Sequence, residues 1–366
     1  MTKIYVIPIE SIPTRYSEAW YTHIPKLLDA AGAEVVVIEG DEISPTTTPG
    51  AFLDFAATNA FKSSQLIVIA ELFSTGKIQP GDVFLYTDAW NPTVTQLRYM
   101  SELFQIPIKI HALHHAGSWD KFDFLGRLIG DKLWIRNLEA SLYYCYDTNW
   151  FATRFHSNMF CRELFDVEVM FEDDETAEMQ VHDPNRIQLT GWPMEYLDEV
   201  LEPYKNLPKK NQIIFPHRIA PEKQLEIFKD LAKEMPEYNW VVCQEKKLSK
   251  HEYHTLLGES KICFSASLQE TYGIAVIEAF KVGAIPLLPD RLSYNEIWND
   301  FFKYPSDWTS NWNAYQKNKF NLISLIKDLM DKIDHNTHEL ESEIKKQNNK
   351  LLDYTNAKPL IDALTK

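Results

Sequence analysis

Glycine is scarce in this chain, with 12 in 366 residues, and none stands between Pro8 and Tyr16. That stretch follows the first strand-like run. Phosphate there has to be met by side chains such as Ser11, Thr14 or Arg15, not by closely approaching backbone. The bland reading of the same loop is helix capping by Thr14 or Ser17. Cysteine is scarce too: Cys145, Cys161, Cys243 and Cys263 lie scattered, without metal-ligand spacing. That excludes a disulfide scaffold or a zinc ribbon and points to reduced, mostly buried thiols in a cytoplasmic protein. No apolar run approaches the roughly 20 residues of a membrane span. Met1-Thr2-Lys3 leads into an apolar run too short for a signal-peptide core. Internal repeats and low-complexity tracts are absent. Positive charge is missing from one half only. Residues 1–200 carry 14 Lys and Arg against 29 Asp and Glu, which gives −15, and residues 201–366 carry 23 against 23, which gives 0. Part of the surplus is Glu172-Asp173-Asp174-Glu175, expected as an exposed loop. The imbalance argues against a broad nucleic-acid face on the first half.

What is present is an alternation of strand and helix signals. Strands are expected over residues 3–9, 34–38, 82–87, 108–113, 142–146 and 186–190. Helices are expected over 17–31, 51–75, 93–104, 134–140 and 149–160. Such alternation implies a parallel, doubly wound sheet with helices on both faces. Residues 202–210, with two prolines and a basic end, read as a linker. A second alternating unit follows, with strands near 213–215, 239–243, 262–266 and 285–288. After Asp331 the pattern is helical, polar and without caps. The chain thus reads as an α/β protein of two Rossmann-like domains, 1–205 and 206–335, followed by a helical segment, 336–366.

The chemistry concentrates in the second half. Glu270 and Glu278 lie eight positions apart and bracket Thr271-Tyr272-Gly273-Ile274 and an apolar run. The segment suits a strand over 262–266 that hands over to a helix over 274–282. The amides of Tyr272, Gly273 and Ile274 would be helix N-terminal donors, which favour anions. Upstream, a strand over 211–215 leads into Pro216-His217-Arg218-Ile219-Ala220-Pro221-Glu222-Lys223 and a helix from Pro221 to Met235. Pro221 suits a first helical position, and Glu222 complements the helix dipole. Arg218 and Lys223 would lie at that corner.

The spacing of the two glutamates resembles the E-x7-E motif of retaining GT-B glycosyltransferases, as in glycosyltransferase family 4. The Arg218 segment resembles that family's G-R-x-x-x-E-K-G segment, although Pro216-His217 replaces its glycine region and Gln224 follows the lysine. The resemblance implies a GT-B fold, two Rossmann-like domains facing a cleft, with a C-terminal helix around residues 340–352 that crosses back. It implies that Arg218 and Lys223 hold the donor diphosphate, that Glu270 contacts the sugar, and that Glu278 contacts the ribose.

Three loops of the first domain are acceptor-side candidates, because ligands of open α/β sheets bind at the C-terminal strand ends. The first holds Ser11 and Arg15; relatives of the resembled family carry a glycine-rich loop here. The second holds Asp88, whose alternative is the cap of the next helix. The third runs through His114, His115, Gly117, Trp119 and Asp120. In the resembled family a histidine at this point contacts the donor sugar, and His115 is favoured over His114.

The implied activity is metal-independent, retaining transfer of a hexosyl or pentosyl group. The implied donor is a nucleoside-diphosphate sugar, with UDP the favoured nucleotide, and no other cofactor is expected. No Asp-x-Asp triplet of metal-dependent transferases occurs. Residues 8–15, 116–127 and 190–196 resemble glycosyltransferase-like proteins of large tailed bacteriophages. That implies hydroxymethylated DNA as acceptor, in a host cytoplasm. Arg127, Lys132, Arg136 and Arg154 would contact phosphates, and Trp90 or Trp119 would stack on an extruded base. The alternatives are transfer to a glycan, lipid or small molecule, a nucleotide-sugar 2-epimerase, and a silent sugar-binding protein of the same fold.

Overall fold

The computed structural model describes residues 3–13, 15–41, 54–167 and 186–366. Thr14, residues 42–53 and the acidic run at 172–175 lie outside them. The chain divides into two compact units, one of 1–193 with 356–366 and one of 194–355. The proline-bearing stretch at 202–210 therefore lies inside the second unit.

The first unit is built on strands β1 (Lys3–Ile7), β2 (Glu34–Val37), β3 (Val83–Tyr86), β4 (Lys109–Leu113), β5 (Thr148–Phe151) and β6 (Ile187–Leu189). They pair in the order β2-β1-β3-β4-β5-β6, all parallel. Ile4 to Ile7 and Val83 to Tyr86 are all buried, as expected of strands covered on both faces. Tyr5 stacks on Phe84 at 4.8 Å, within a core that includes Ile69, Val94, Leu97 and Ile110. The helix Thr93–Phe104 shows why the local sequence folds this way. It buries Thr93, Val94, Leu97 and Ser101, one helical stripe, and ends on Gln105 in the left-handed region.

Two expected elements of this unit are corrected. Residues 142–146 are not a strand. Their apolar and aromatic character favours one, yet they finish the helix Leu133–Cys145, which buries Ile135, Glu139, Leu142 and Tyr143 at helical spacing. The strand follows instead at Thr148–Phe151, and the next helix is displaced to Arg154–Phe165. Thr153 caps that helix by accepting from the His156 amide.

The second unit holds β7 (Gln212–Phe215), β8 (Asn239–Val242), β9 (Ile262–Phe264), β10 (Ile285–Pro289) and β11 (Lys303–Tyr304). Their order is β11-β10-β9-β7-β8, again parallel throughout. Pro221 opens a short 3-10 turn, Pro221–Lys223, and the α-helix proper is Leu225–Glu234. The helix Trp312–Asp334 is capped by Asn311, which accepts from the Ala314 amide. The helix His338–Tyr354 is also capped, contrary to the reading of an uncapped stretch after Asp331: Thr337 accepts from the Leu340 amide. The helix His338–Tyr354 stays with this unit. The returning piece is the shorter helix Lys358–Thr365, which packs on Tyr16–Ala30 of the first unit.

Both sheets have one place where the chain reverses its direction of winding. In the first it lies between β1 and β3, in the second between β7 and β9. Loops leaving neighbouring strands diverge there to opposite faces and leave a crevice at the strand ends, where open α/β sheets take ligands. Among the described residues, no helix is long and apolar enough to cross a membrane.

Candidate functional site

The crevice of the second sheet is lined by the loops after β7 and β9. The β7 loop carries Arg218, whose Nε and Nη2 donate to Glu222 Oε1 at 3.1 and 2.7 Å. Glu222 was expected to face the helix dipole; it is buried instead, and its carbonyl accepts from the Leu268 amide in the β9 loop. Lys223 is also buried. Its Nζ donates to the Gln269 carbonyl and lies 3.2 Å from Glu270 Oε2. Arg218, Lys223 and Glu270 thus share one sheet edge, as the two motifs imply, through a link that runs by way of Glu222 and Gln269.

Gly273 starts the helix Ile274–Lys281 with φ +90°, a conformation that L side chains rarely adopt. The amides of Val276 and Ile277 bond to its carbonyl, so those of Gly273, Ile274 and Ala275 precede the helical ladder. Thr271 and Tyr272 are buried, and the Tyr272 hydroxyl donates to the Tyr354 carbonyl. Glu278, one turn into the helix, accepts from the Tyr253 hydroxyl at 3.2 Å and has His254 Nε2 at 3.9 Å.

The groups that brace this edge carry no local sequence signal of that role. Arg291 donates to the carbonyls of Ser267, Ala266 and Ser306 at 2.7–2.8 Å. Gln224 Nε2 donates to the Ala266 and Thr309 carbonyls at 2.6 and 2.7 Å. Gln224 stands where the resembled segment has glycine, and its φ is +51°. A glutamine there carries backbone strain on the order of 1 kcal/mol. Its two buried hydrogen bonds offset that strain and tie the β7 loop to the β9 loop.

The first unit's crevice has a different character. Ser11 is exposed. Arg15 is the extended residue before the helix Tyr16–Ala30 and makes no side-chain cap bond there. Ser17 Oγ accepts from the Ile12 amide. Asp88 Oδ1 accepts from the Trp90 amide at 3.0 Å, an Asx turn and not a cap of the next helix, and Lys62 Nζ lies 3.7 Å from Oδ2.

His115 lies among Tyr16, Trp20 and Trp192, with ring centroids 4.8–5.6 Å away. Its Nε2 is 2.6 Å from the Thr87 carbonyl and its Nδ1 is 2.7 Å from the Tyr16 hydroxyl. A carbonyl only accepts, so Nε2 carries the proton and Nδ1 accepts from Tyr16. Burial holds its pKa below the usual histidine range. His114 is buried, stacks on Phe151 at 4.3 Å, and meets Asn149 Oδ1 at 2.8 Å; burial lowers its pKa to about 4. That environment makes it part of the core.

Gly117 is required by packing: a Cβ there would lie 2.0 Å from Trp119 Nε1. Trp119 is folded inward over it, against Phe160 and His156. The expected stacking of Trp119 on a ligand is corrected accordingly, because its faces serve the core. Asp120 is buried and accepts from the Phe122 amide. Trp90 Nε1 donates to Glu139, a buried carboxylate that also accepts from the Ser118 amide and hydroxyl. Glu139 and the buried Glu10 and Lys62 belong to no local motif, since the groups they meet lie elsewhere in the chain. Arg127 and Lys132 are exposed, and Arg136 pairs with Asp131. Among the described residues no three His, Cys, Asp or Glu come together as metal ligands would.

Solved structures with this arrangement exist. A sucrose-phosphate synthase from Thermosynechococcus elongatus aligns over 100% of this chain and 97% of its own, with a TM-score of 0.62 at 12% identity. The fold is GT-B. A UDP-forming alpha,alpha-trehalose-phosphate synthase from Burkholderia vietnamiensis aligns over 100% and 99%, with a TM-score of 0.60 at 9% identity. An alpha-glucosyltransferase in complex with UDP aligns over 100% of both chains, with a TM-score of 0.55 at 10% identity. No family model matches the chain, and no curated protein matches it. The two sheet crevices are therefore those of a GT-B architecture.

Proposed function

We propose that this protein is a retaining glycosyltransferase that moves a hexosyl or pentosyl group from a UDP-linked sugar to an acceptor hydroxyl. One observation carries the reading: the reversal point of the second sheet gathers Arg218, Lys223 and Glu270 beside the Gly273 helix terminus. In the reaction the bond between the anomeric carbon and the phosphate oxygen breaks as the bond to the acceptor oxygen forms. Charge grows on the leaving diphosphate, where two cations and helix amides stabilise it without a metal. The acceptor proton goes to that phosphate on the same sugar face, which is the retaining course the glutamate spacing implies. Glu270 orients the sugar and Glu278 binds the ribose. The choice of UDP is supported by its presence in the names of two structural neighbours.

For the acceptor, the resemblance to phage proteins supports a hydroxymethyl group on a pyrimidine of DNA. The −15 of residues 1–200 weighs against a broad DNA face, so contacts would be few and local. The test uses labelled UDP-sugars, first alone and then with unmodified DNA, hydroxymethylated DNA, glycans and lipids, with and without EDTA. Transfer to hydroxymethylated DNA alone supports the whole reading. Transfer only to another acceptor removes DNA and keeps the donor site. Absence of both hydrolysis and transfer with every donor sinks the enzyme reading.

A further inference from the structure

His217 is the residue of the donor edge that the motifs leave unexplained. It stands directly before Arg218, at the end of β7, where the resembled segment is glycine-rich. Its ring meets Phe215 edge-on, 5.1 Å between centroids. It is 6% exposed, and its Nε2 is buried without a hydrogen-bond partner. Folded proteins rarely leave a buried ring nitrogen unmatched, and such an atom at a sheet crevice asks for a ligand.

The charges around it define what that ligand is. Arg218 is paired with Glu222, and Lys223 with Glu270. These two cations and two carboxylates cancel, and the guanidinium of Arg291 is committed to the carbonyls of Ser267, Ala266 and Ser306. A diphosphate arriving there would meet oriented donors but little uncommitted positive charge. A buried imidazole beside that diphosphate can supply more by protonation. In the free protein it stays neutral, held so by burial first and then by the nearby Lys223 and Arg218.

We propose that His217 is a third ligand of the donor's diphosphate and takes up a proton from solvent as the diphosphate binds. The proposal rests on the donor-site reading above. The phosphate's negative charge offsets the two cations, and the imidazolium Nε2 donates a charge-assisted hydrogen bond to a phosphate oxygen. Donor affinity then falls as pH rises through the histidine's pKa in the complex, because the proton is bound only there.

The experiment is calorimetry of UDP binding at pH 7.5 in buffers of different ionisation enthalpy, for the wild type and for His217→Gln. Gln keeps an N–H donor but does not titrate. Comparing the two proteins removes the nucleotide's own protonation from the count. The expected result is greater proton uptake by the wild type, about tenfold weaker UDP binding by the variant, and no difference with uridine, which has no phosphate. Equal proton counts overturn the proposal while leaving the donor site standing. Failure of the wild type to bind UDP, ADP, GDP or TDP overturns both. A second measurement does not depend on the variant's folding. Imidazole nitrogen resonances of the wild type, recorded at pH 7.5, should show one histidine passing from neutral to imidazolium when UDP is added. No such change overturns the proposal.

Discussion

The two sheets share one topology at their reversal points, yet the chemistry placed there differs. The second unit's edge is ionic: Arg218–Glu222 and Lys223–Glu270 stand in a frame tied by Gln224 and Arg291. The first unit's edge is mainly aromatic, with one ion pair, Lys62–Asp88, 3.7 Å apart. His114, His115 and His156 are buried among Tyr16, Trp20, Phe151, Phe160 and Trp192, and burial depresses all three pKa values. The lesson is that a fold fixes where a ligand is met and leaves open how. An ionic edge suits a charged donor. An aromatic edge suits a partner recognised by shape and stacking.

The largest effect expected from this difference is in acid. His111 and His114 have folded pKa values of about 4, lowered by burial. The unfolded chain binds protons at these positions below about 6.5, while the fold resists them until about 4. Stability is therefore lost as pH falls through that window, by about 2 kcal/mol per histidine at pH 5. Hydrogen exchange at pH 7 and pH 5 should show β4 and β5 losing more protection than β9 and β10, since the buried histidine of the second unit's edge, His217, lies at the end of β7. Equal losses in both units would break the comparison.

Next comes the ionic edge. Arg218→Ala and Lys223→Ala should each lower kcat by about 10²–10³, and raise the donor KM less, because the charge they meet grows as the diphosphate leaves. Normal turnover of both variants at saturating donor would remove their leaving-group role. Glu278→Ala should weaken UDP binding by about 1.5–3 kcal/mol if its carboxylate holds the ribose hydroxyls. Unchanged affinity in calorimetry would reassign it to the Tyr253 contact alone.

The smallest effect sharpens the account of the bracing. Gln224→Ala should destabilise the second unit by about 1–2 kcal/mol, as two buried carbonyls lose a donor and the backbone strain stays. Gln224→Gly loses the same bonds but relieves the strain at φ +51°, so it should be the milder change. Thermal unfolding that ranks the two in the opposite order would show that the left-handed backbone at this position carries no strain that glycine relieves.

Much of the fold was legible because parallel strands buried on both faces are continuous apolar runs, such as Ile4-Tyr5-Val6-Ile7 and Val83-Phe84-Leu85-Tyr86. Residues 142–146 misled for the same reason. A short apolar and aromatic run serves a strand or a buried helix equally well, and only the spacing over the preceding two turns decides. Of the second unit's edge, Arg218, Lys223, Glu270, Gly273 and Glu278 stood out because charge and glycine at strand ends have few structural uses. The bracing roles of Glu222, Gln224 and Arg291 did not, since a polar residue that braces a loop has no local pattern.

By itself, the sequence determined the alternation of strands and helices, the place of the Gly273 turn and the identity of the charged groups near it. These follow from local periodicity, backbone preference and charge, which need no partner distant in the chain. The tertiary structure alone decided that Lys223 meets Glu270 across 47 positions, that Gln224 reaches Thr309, and that His115 is fixed between Thr87 and Tyr16. Each of those contacts depends on which strands become neighbours at a reversal point. That choice is made by packing of the whole sheet, not by any segment of the chain.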